Sequence, residues 1–137
     1  MAGHTRCLYE TADMLIKGLG NDTGNVSEDD KAYAREFYRL AGGKGLSDAY
    51  LKYANMCFYG EGGEKNVYEA RTYYKFAANM SNPIAQCVYA EMCSRGLGGL
   101  ADDKEARVYM ARSSLGKYPK GQYIYALMCY KGIGGPV

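Results

Sequence analysis

At 137 residues, 47% hydrophobic and 23% charged, the chain has the profile of a soluble protein with one packed domain. Seventeen basic against fifteen acidic residues leave a net charge of +2 with no Lys/Arg cluster, so neither nucleic acid nor an anionic membrane is an expected partner. No apolar run is long enough to span a bilayer, and Met1-Ala2-Gly3-His4-Thr5 has no signal-peptide pattern, so a cytoplasmic chain is expected.

The elements are ordered by a 36-residue self-similarity. Tyr53-Ala54-Asn55-Met56-Cys57 returns as Tyr89-Ala90-Glu91-Met92-Cys93 and again as Tyr125-Ala126-Leu127-Met128-Cys129, each followed three residues later by a glycine. A fixed period of this size marks a stacked repeat array. The first unit opens with a helix carrying Ala12, Met14 and Gly18 in the slots of Ala54, Met56 and Gly60, offset by 42 rather than 36. The difference is a six-residue insertion in the turn 21–27. Its second helix begins after the acid run Glu28-Asp29-Asp30, where carboxylates meet the positive end of the helix dipole, and presents Ala34, Phe37, Tyr38 and Ala41 inward.

The second unit is the clearest. A helix over 48–59 places Ala49, Tyr53, Met56, Cys57 and Gly60 on one side, the spacing of a buried face. Gly60-Glu61-Gly62-Gly63 stops it, since glycine takes the left-handed dihedrals of a helix C-terminus. A second helix over 67–79 turns Ala70, Tyr73, Tyr74, Ala77 and Ala78 inward, and Asn82-Pro83 closes the unit. The third unit repeats the scheme with helices over 84–95 and 103–114, in which Ala106, Tyr109, Met110, Ser113 and Ser114 fill the inward slots. A fourth begins at Gly121 and reaches Val137 after one helix. The units span about 7–48, 49–84, 85–120 and, in part, 121–137 of a single domain.

Five cysteines, Cys7, Cys57, Cys87, Cys93 and Cys129, make an odd count that fits a disulfide framework poorly. Equivalent cysteines on helices packed about 8–10 Å apart are too far for a bond that needs Cα atoms within roughly 7 Å, and too far to share a zinc ion. They read as small buried hydrophobes, and no metal or other cofactor is expected. Fifteen tyrosines against three phenylalanines and no tryptophan suit half-buried positions of a thin helical stack.

The pattern A-x-x-x-Y-A-x-M-C-x-x-G-x-G followed by x-A-x-x-Y-Y-x-x-A-A resembles the Sel-1-like repeat, a relative of the tetratricopeptide repeat. It departs from the usual spelling at Tyr53, Tyr89 and Tyr125 (usually Leu), at Cys57, Cys93 and Cys129 (usually Tyr), and at Glu69 and Glu105 (usually Lys). The resemblance implies an all-α, right-handed α-α superhelix, a solenoid of about three and a half helix pairs. It also implies a concave groove lined by the first helices. Carried onto this sequence, the groove positions are Tyr9, Asp13, Ile16 and Lys17; Leu51, Asn55, Phe58 and Tyr59; Cys87, Glu91, Ser94 and Arg95; and Tyr123, Leu127, Tyr130 and Lys131. Helical spacing puts Leu51, Asn55, Phe58 and Tyr59 opposite the packing face, and the stripe varies from unit to unit where the packing face does not. Its rings and cations have the composition of binding hot spots.

Other chemistry finds little support. The glycine turns lack the Lys-Ser/Thr of a phosphate-binding loop and recur in every unit. The single histidine, His4, lies in a terminus expected to fray, so no Cys-His or Ser-His pair is in prospect. Asn25-Val26-Ser27 fits a glycosylation acceptor, which has meaning only in a secreted chain. Some secreted cysteine-rich relatives are associated with penicillin binding and β-lactamase activity, but Ala78 and Asn79 bring no cysteine to meet Cys87. In the fourth unit Tyr123, Ile124, Tyr125, Leu127, Met128 and Tyr130 crowd one helix, which suggests self-association or an architectural segment of a longer array. The leading expectation is a non-catalytic scaffold or adaptor that holds another protein or peptide in its groove.

Overall fold

The computed structural model describes residues 2–20 and 22–136. Among them seven helices follow one another: α1 Ala2–Ile16, α2 Glu28–Gly43, α3 Ser47–Tyr59, α4 Val67–Asn79, α5 Pro83–Arg95, α6 Asp103–Leu115 and α7 Pro119–Lys131. Each packs against its neighbours in the chain, and α5 also meets α7 directly. Among the described residues there is no strand.

The helix ends follow from capping chemistry at the repeat spacing. Asn66 and Asp102 cap α4 and α6 by accepting from the amides of Glu69 and Glu105 at 2.9 and 3.0 Å. Asn82 caps α5 with Pro83 at its first position, so that proline opens a helix rather than merely ending one. Ser27 and Asp30 form a capping box on α2, which gives the acid run its local purpose. Gly60, Gly96 and Gly132 end the first helices at φ of 74°, 67° and 70°. After the second helices the left-handed position is held by Gly45, Ser81 and Lys117, only the first of which escapes steric cost.

The core is a spine of small residues. Ala49, Ala54, Ala70, Ala85, Ala90 and Ala106 are fully buried together with Cys57 and Cys93, while Tyr53, Tyr74, Tyr89 and Tyr109 fill the spaces between helices. All five cysteines are free thiols. The unusual residues satisfy one another: Tyr53 donates to Glu69 Oε1 at 2.9 Å and Tyr89 to Glu105 Oε2 at 2.8 Å, so the tyrosine in place of leucine meets the glutamate in place of lysine.

Consecutive units are latched by an arginine at the same period. Arg35 donates to the carbonyls of Glu61 and Glu64 at 3.2 and 3.1 Å, Arg71 to those of Leu97 and Leu100 at 3.2 and 2.8 Å, and Arg107 to that of Ile133 at 3.4 Å. The second nitrogen of each guanidinium lies 3.3 to 3.6 Å from the sulfur of Cys57, Cys93 or Cys129. Room for the arginine comes from glycine. A Cβ on Gly63, Gly99 or Gly135 would approach the guanidinium within 3.0 Å.

Three expectations are corrected. His4 sits inside α1, exposed but helical, rather than in a frayed end. Met14 occupies the slot of Met56 yet is half exposed, because no element packs on that side of α1 among the described residues. Tyr73, Phe37 and Ser114 are half-buried rather than fully inward. Met1, Asn21 and Val137, named in the terminal and insertion readings, lie outside the described residues.

Candidate functional site

In the first two units much of the groove stripe is taken up by the fold itself. Tyr38, from α2, donates to Asp13 Oδ1, and Lys52 approaches the same carboxylate at 3.5 Å. The Tyr9 ring stacks edge-on against Tyr38 at 5.6 Å and lies 5.8 Å from the Lys52 ammonium. Ile16 is half-buried against the core and Lys17 is exposed. One unit on, Tyr74 from α4 donates to Asn55 Oδ1, while Leu51 and Phe58 are half-buried against the core. The Tyr59 ring stands exposed, edge-on to Phe58 at 4.9 Å.

The third unit breaks this pattern. Met110 occupies the slot of Tyr38 and Tyr74, so nothing from α6 reaches the groove acceptor, here Glu91. Glu91 pairs instead with Lys120 of α7 at 2.9 Å, which raises the Lys120 pKa. Cys87, read as a groove position, is fully buried: its short side chain donates to Glu91 Oε1 at 3.6 Å beneath the Glu91–Lys120 pair. Burial, and then the neighbouring carboxylate, push this thiol up to about 12, so it is no nucleophile at neutral pH. Ser94 donates to Asp103 at 3.1 Å. Arg95 and Lys131, the same slot on α5 and α7, are exposed and make no hydrogen bond or ion pair among the described residues.

Where the tyrosine is missing, a cavity of 270 Å³ opens between α5, α6 and α7. Glu91, Ser94, Arg95, Leu127 and Lys131 rim it over an apolar lining that includes Met110, Ile124 and Met128. A second hollow of 160 Å³ adjoins it, lined by Phe58, Tyr59, Tyr74 and Val88 and sharing Glu91 and Arg95 with the first. The two form one groove across three units. It brings together Phe58, Tyr59, Glu91, Ser94, Arg95, Leu127 and Lys131, and leaves out Tyr9, Asp13, Ile16, Lys17, Leu51, Asn55, Tyr123 and Tyr130. The last two are exposed on α7 outside both hollows. A larger hollow, 360 Å³, lies over α1, but residues of that helix alone line it.

Met110, read as an inward slot, Ile124 and Met128, read as part of the crowded fourth-unit helix, and Lys120, not singled out, all belong to the site without having been read as groove positions. The signal was present in one place, the change from Tyr38 and Tyr74 to Met110 at an otherwise constant slot. Among the described residues no group of three or more His, Cys, Asp or Glu side chains could hold a metal ion, and no helix is long and apolar enough to cross a membrane.

No curated protein matches this sequence. Solved structures do match its fold. A Sel1 repeat protein from Oxalobacter formigenes superposes with a TM-score of 0.85 at 22% identity, covering 96% of this chain and 51% of the other. A protective antigen of uropathogenic Escherichia coli strains, displaying an SLR fold, gives 0.84 at 27% identity, covering 96% and 27%. Helicobacter pylori cysteine rich protein B gives 0.68 at 13% identity, covering 88% and 96%. This chain thus spans about half the length of the first and about a quarter of the second. The Sel1 repeat pattern matches residues 5–46, 47–82, 83–117 and 119–137, three helix pairs and the final helix with its turn, and the chain belongs to the Sel1 repeat family.

Proposed function

We propose that this chain is a non-catalytic interaction module that docks a segment of a partner protein in the groove across α3, α5 and α7. Sel1 repeats are typically protein-interaction modules. The observation that carries the reading is the 270 Å³ cavity at the unit where Met110 replaces the groove-reaching tyrosine, with a second hollow adjoining it on the Tyr74 side. Aromatic rings, an arginine and an apolar pocket in one concavity are the ingredients of a binding hot spot. A catalytic role has little to draw on here: His4 is on α1, outside the groove, and the one thiol beneath it, Cys87, is buried and held protonated.

The test compares the wild type with two folded variants, Met110→Tyr, which fills the cavity, and a Phe58→Ala/Tyr59→Ala/Arg95→Ala triple. Affinity capture with mass spectrometry should find partners that bind the wild type and neither variant. Partners retained by both variants would move the binding surface elsewhere and refute the groove.

A further inference from the structure

The charge arrangement along the groove goes beyond a docking surface and specifies what fits it. Glu91, the one carboxylate on the rim, is already matched by Lys120 at 2.9 Å. Lys52 is matched by Asp13, and Lys75 by Glu105. Arg95 and Lys131 are the cations on the rim of the 270 Å³ cavity, and neither has a partner among the described residues. The groove therefore presents two cations that have no carboxylate partner among the described residues, each at the C-terminal end of its helix, beside an apolar lining.

We infer, resting on the groove reading above, that the occupant is an acidic, amphipathic peptide segment in extended form. One carboxylate faces Arg95, another faces Lys131, and an aliphatic or methionine side chain is seated between them over Met110, Leu127 and Met128. The spacing follows from the fold. The two cations share a slot on directly contacting helices, so they stand roughly one interaxial distance apart, about 8–10 Å. An extended chain rises about 3.3 Å per residue, which places the matching carboxylates two or three residues apart. The methionines on the floor adapt to more than one apolar side chain, so the pocket sets polarity more strictly than shape. A peptide suits this site better than a nucleic acid, because two cations separated by an apolar hollow do not make the phosphate-tracking stripe a polyanion needs.

The experiment selects displayed random peptides of about a dozen residues, a length that spans the groove in extended form. Selection is run at low salt on the wild type, on Met110→Tyr and on an Arg95→Glu/Lys131→Glu double variant, each first shown to be folded by circular dichroism. The expected wild-type pool carries Asp or Glu two or three residues apart around Leu, Met or Phe. Its best members should weaken roughly tenfold or more on the double variant and on raising the salt. The double variant's own pool should shift toward Lys and Arg. A neutral or basic wild-type pool that is still lost on Met110→Tyr would overturn the charge assignment and leave the groove standing. A pool indifferent to both variants, or no enrichment at all, would overturn the groove as well. Binding of a DNA duplex or of phosphatidylserine vesicles that requires Arg95 and Lys131, without acidic-peptide selection, would overturn the peptide assignment.

Discussion

Replacing Arg71 with methionine tests what holds the units together. The substitution keeps most of the aliphatic stem and removes the guanidinium. Two charge-assisted hydrogen bonds are lost, to Leu97 O at 3.2 Å and Leu100 O at 2.8 Å, along with a cation–ring contact at 5.9 Å over Tyr89. Partly exposed bonds of this kind sit at the low end of the range for charged donors, so the pair and the ring contact together stabilise by about 3 kcal/mol. Unfolding entropy scales at about 2.1 cal/mol/K per residue, and over 137 residues a loss of that size lowers Tm by about 10 °C. Arg39→Met is the control. Among the described residues Arg39 pairs only with Glu36 on the same partly exposed helix face, worth at most about 0.5 kcal/mol and about 2 °C. Thermal and urea unfolding followed by circular dichroism give both numbers. Hydrogen exchange adds a local check, since the amides of the turn after α5 should lose protection before the rest. An Arg71→Met shift no larger than that of Arg39→Met would refute the latch.

The turns make a second pair of predictions. Gly98→Ala forces a Cβ to within 2.5 Å of Val67 O at a φ of +69° and should cost about 3 kcal/mol, whereas Gly24→Ala, at a similar φ in open space, should cost about 1 kcal/mol. Equal losses in urea titrations would show that the close approach does not matter. Ser81→Gly and Lys117→Gly relieve left-handed strain and should each stabilise by about 1 kcal/mol, read as a raised urea midpoint. In the native protein a thiol reagent at pH 8 should label exposed Cys7 first and Cys129 more slowly, reaching Cys57, Cys87 and Cys93 only on unfolding. Rapid labelling of Cys87 would contradict its burial beneath Glu91. Burial, and for Tyr38, Tyr53 and Tyr89 a carboxylate partner as well, holds the pKa of these three and of Tyr74 above the ordinary tyrosine value near 10. The unfolded chain thus releases these protons first, so tyrosine-linked stability is fully present below pH 10 and falls as pH rises above it. A urea midpoint that stays level from pH 8 to about 11 would refute the assignment.

The fold was legible because stacking is written at a fixed period. Ala49, Ala54, Cys57, Ala90 and Cys93 recur at equivalent slots and are fully buried, as the inward face required. The groove was legible only in outline. Helical spacing distinguishes the two sides of α3, but it cannot say that Tyr38 and Tyr74 reach across to Asp13 and Asn55, since that depends on side-chain length between helices. Cys87 misled for the same reason: its slot faces the groove, yet a two-atom side chain lies below the Glu91–Lys120 pair that closes over it. The arginine latch left a visible trace, Arg35, Arg71 and Arg107 at 36-residue steps, but the period alone does not reveal that each guanidinium crosses into the next unit.

That crossing gives the array a direction. Each latch reaches forward, from the second helix of one unit to the turn of the following one, so upstream and downstream faces of a unit are different parts. A spliced-in unit would need both halves of the connection, an arginine at the start of its second helix and a Gly-x-Gly-Gly turn after its first. Cutting the chain between residues 82 and 83 separates Arg71 from its acceptors, so a whole unit moved into a new context is coupled only where the neighbours supply the other half of each connection. In chimaeras built on this chain, compatibility should therefore track that one arginine–glycine match more closely than overall identity between the units joined.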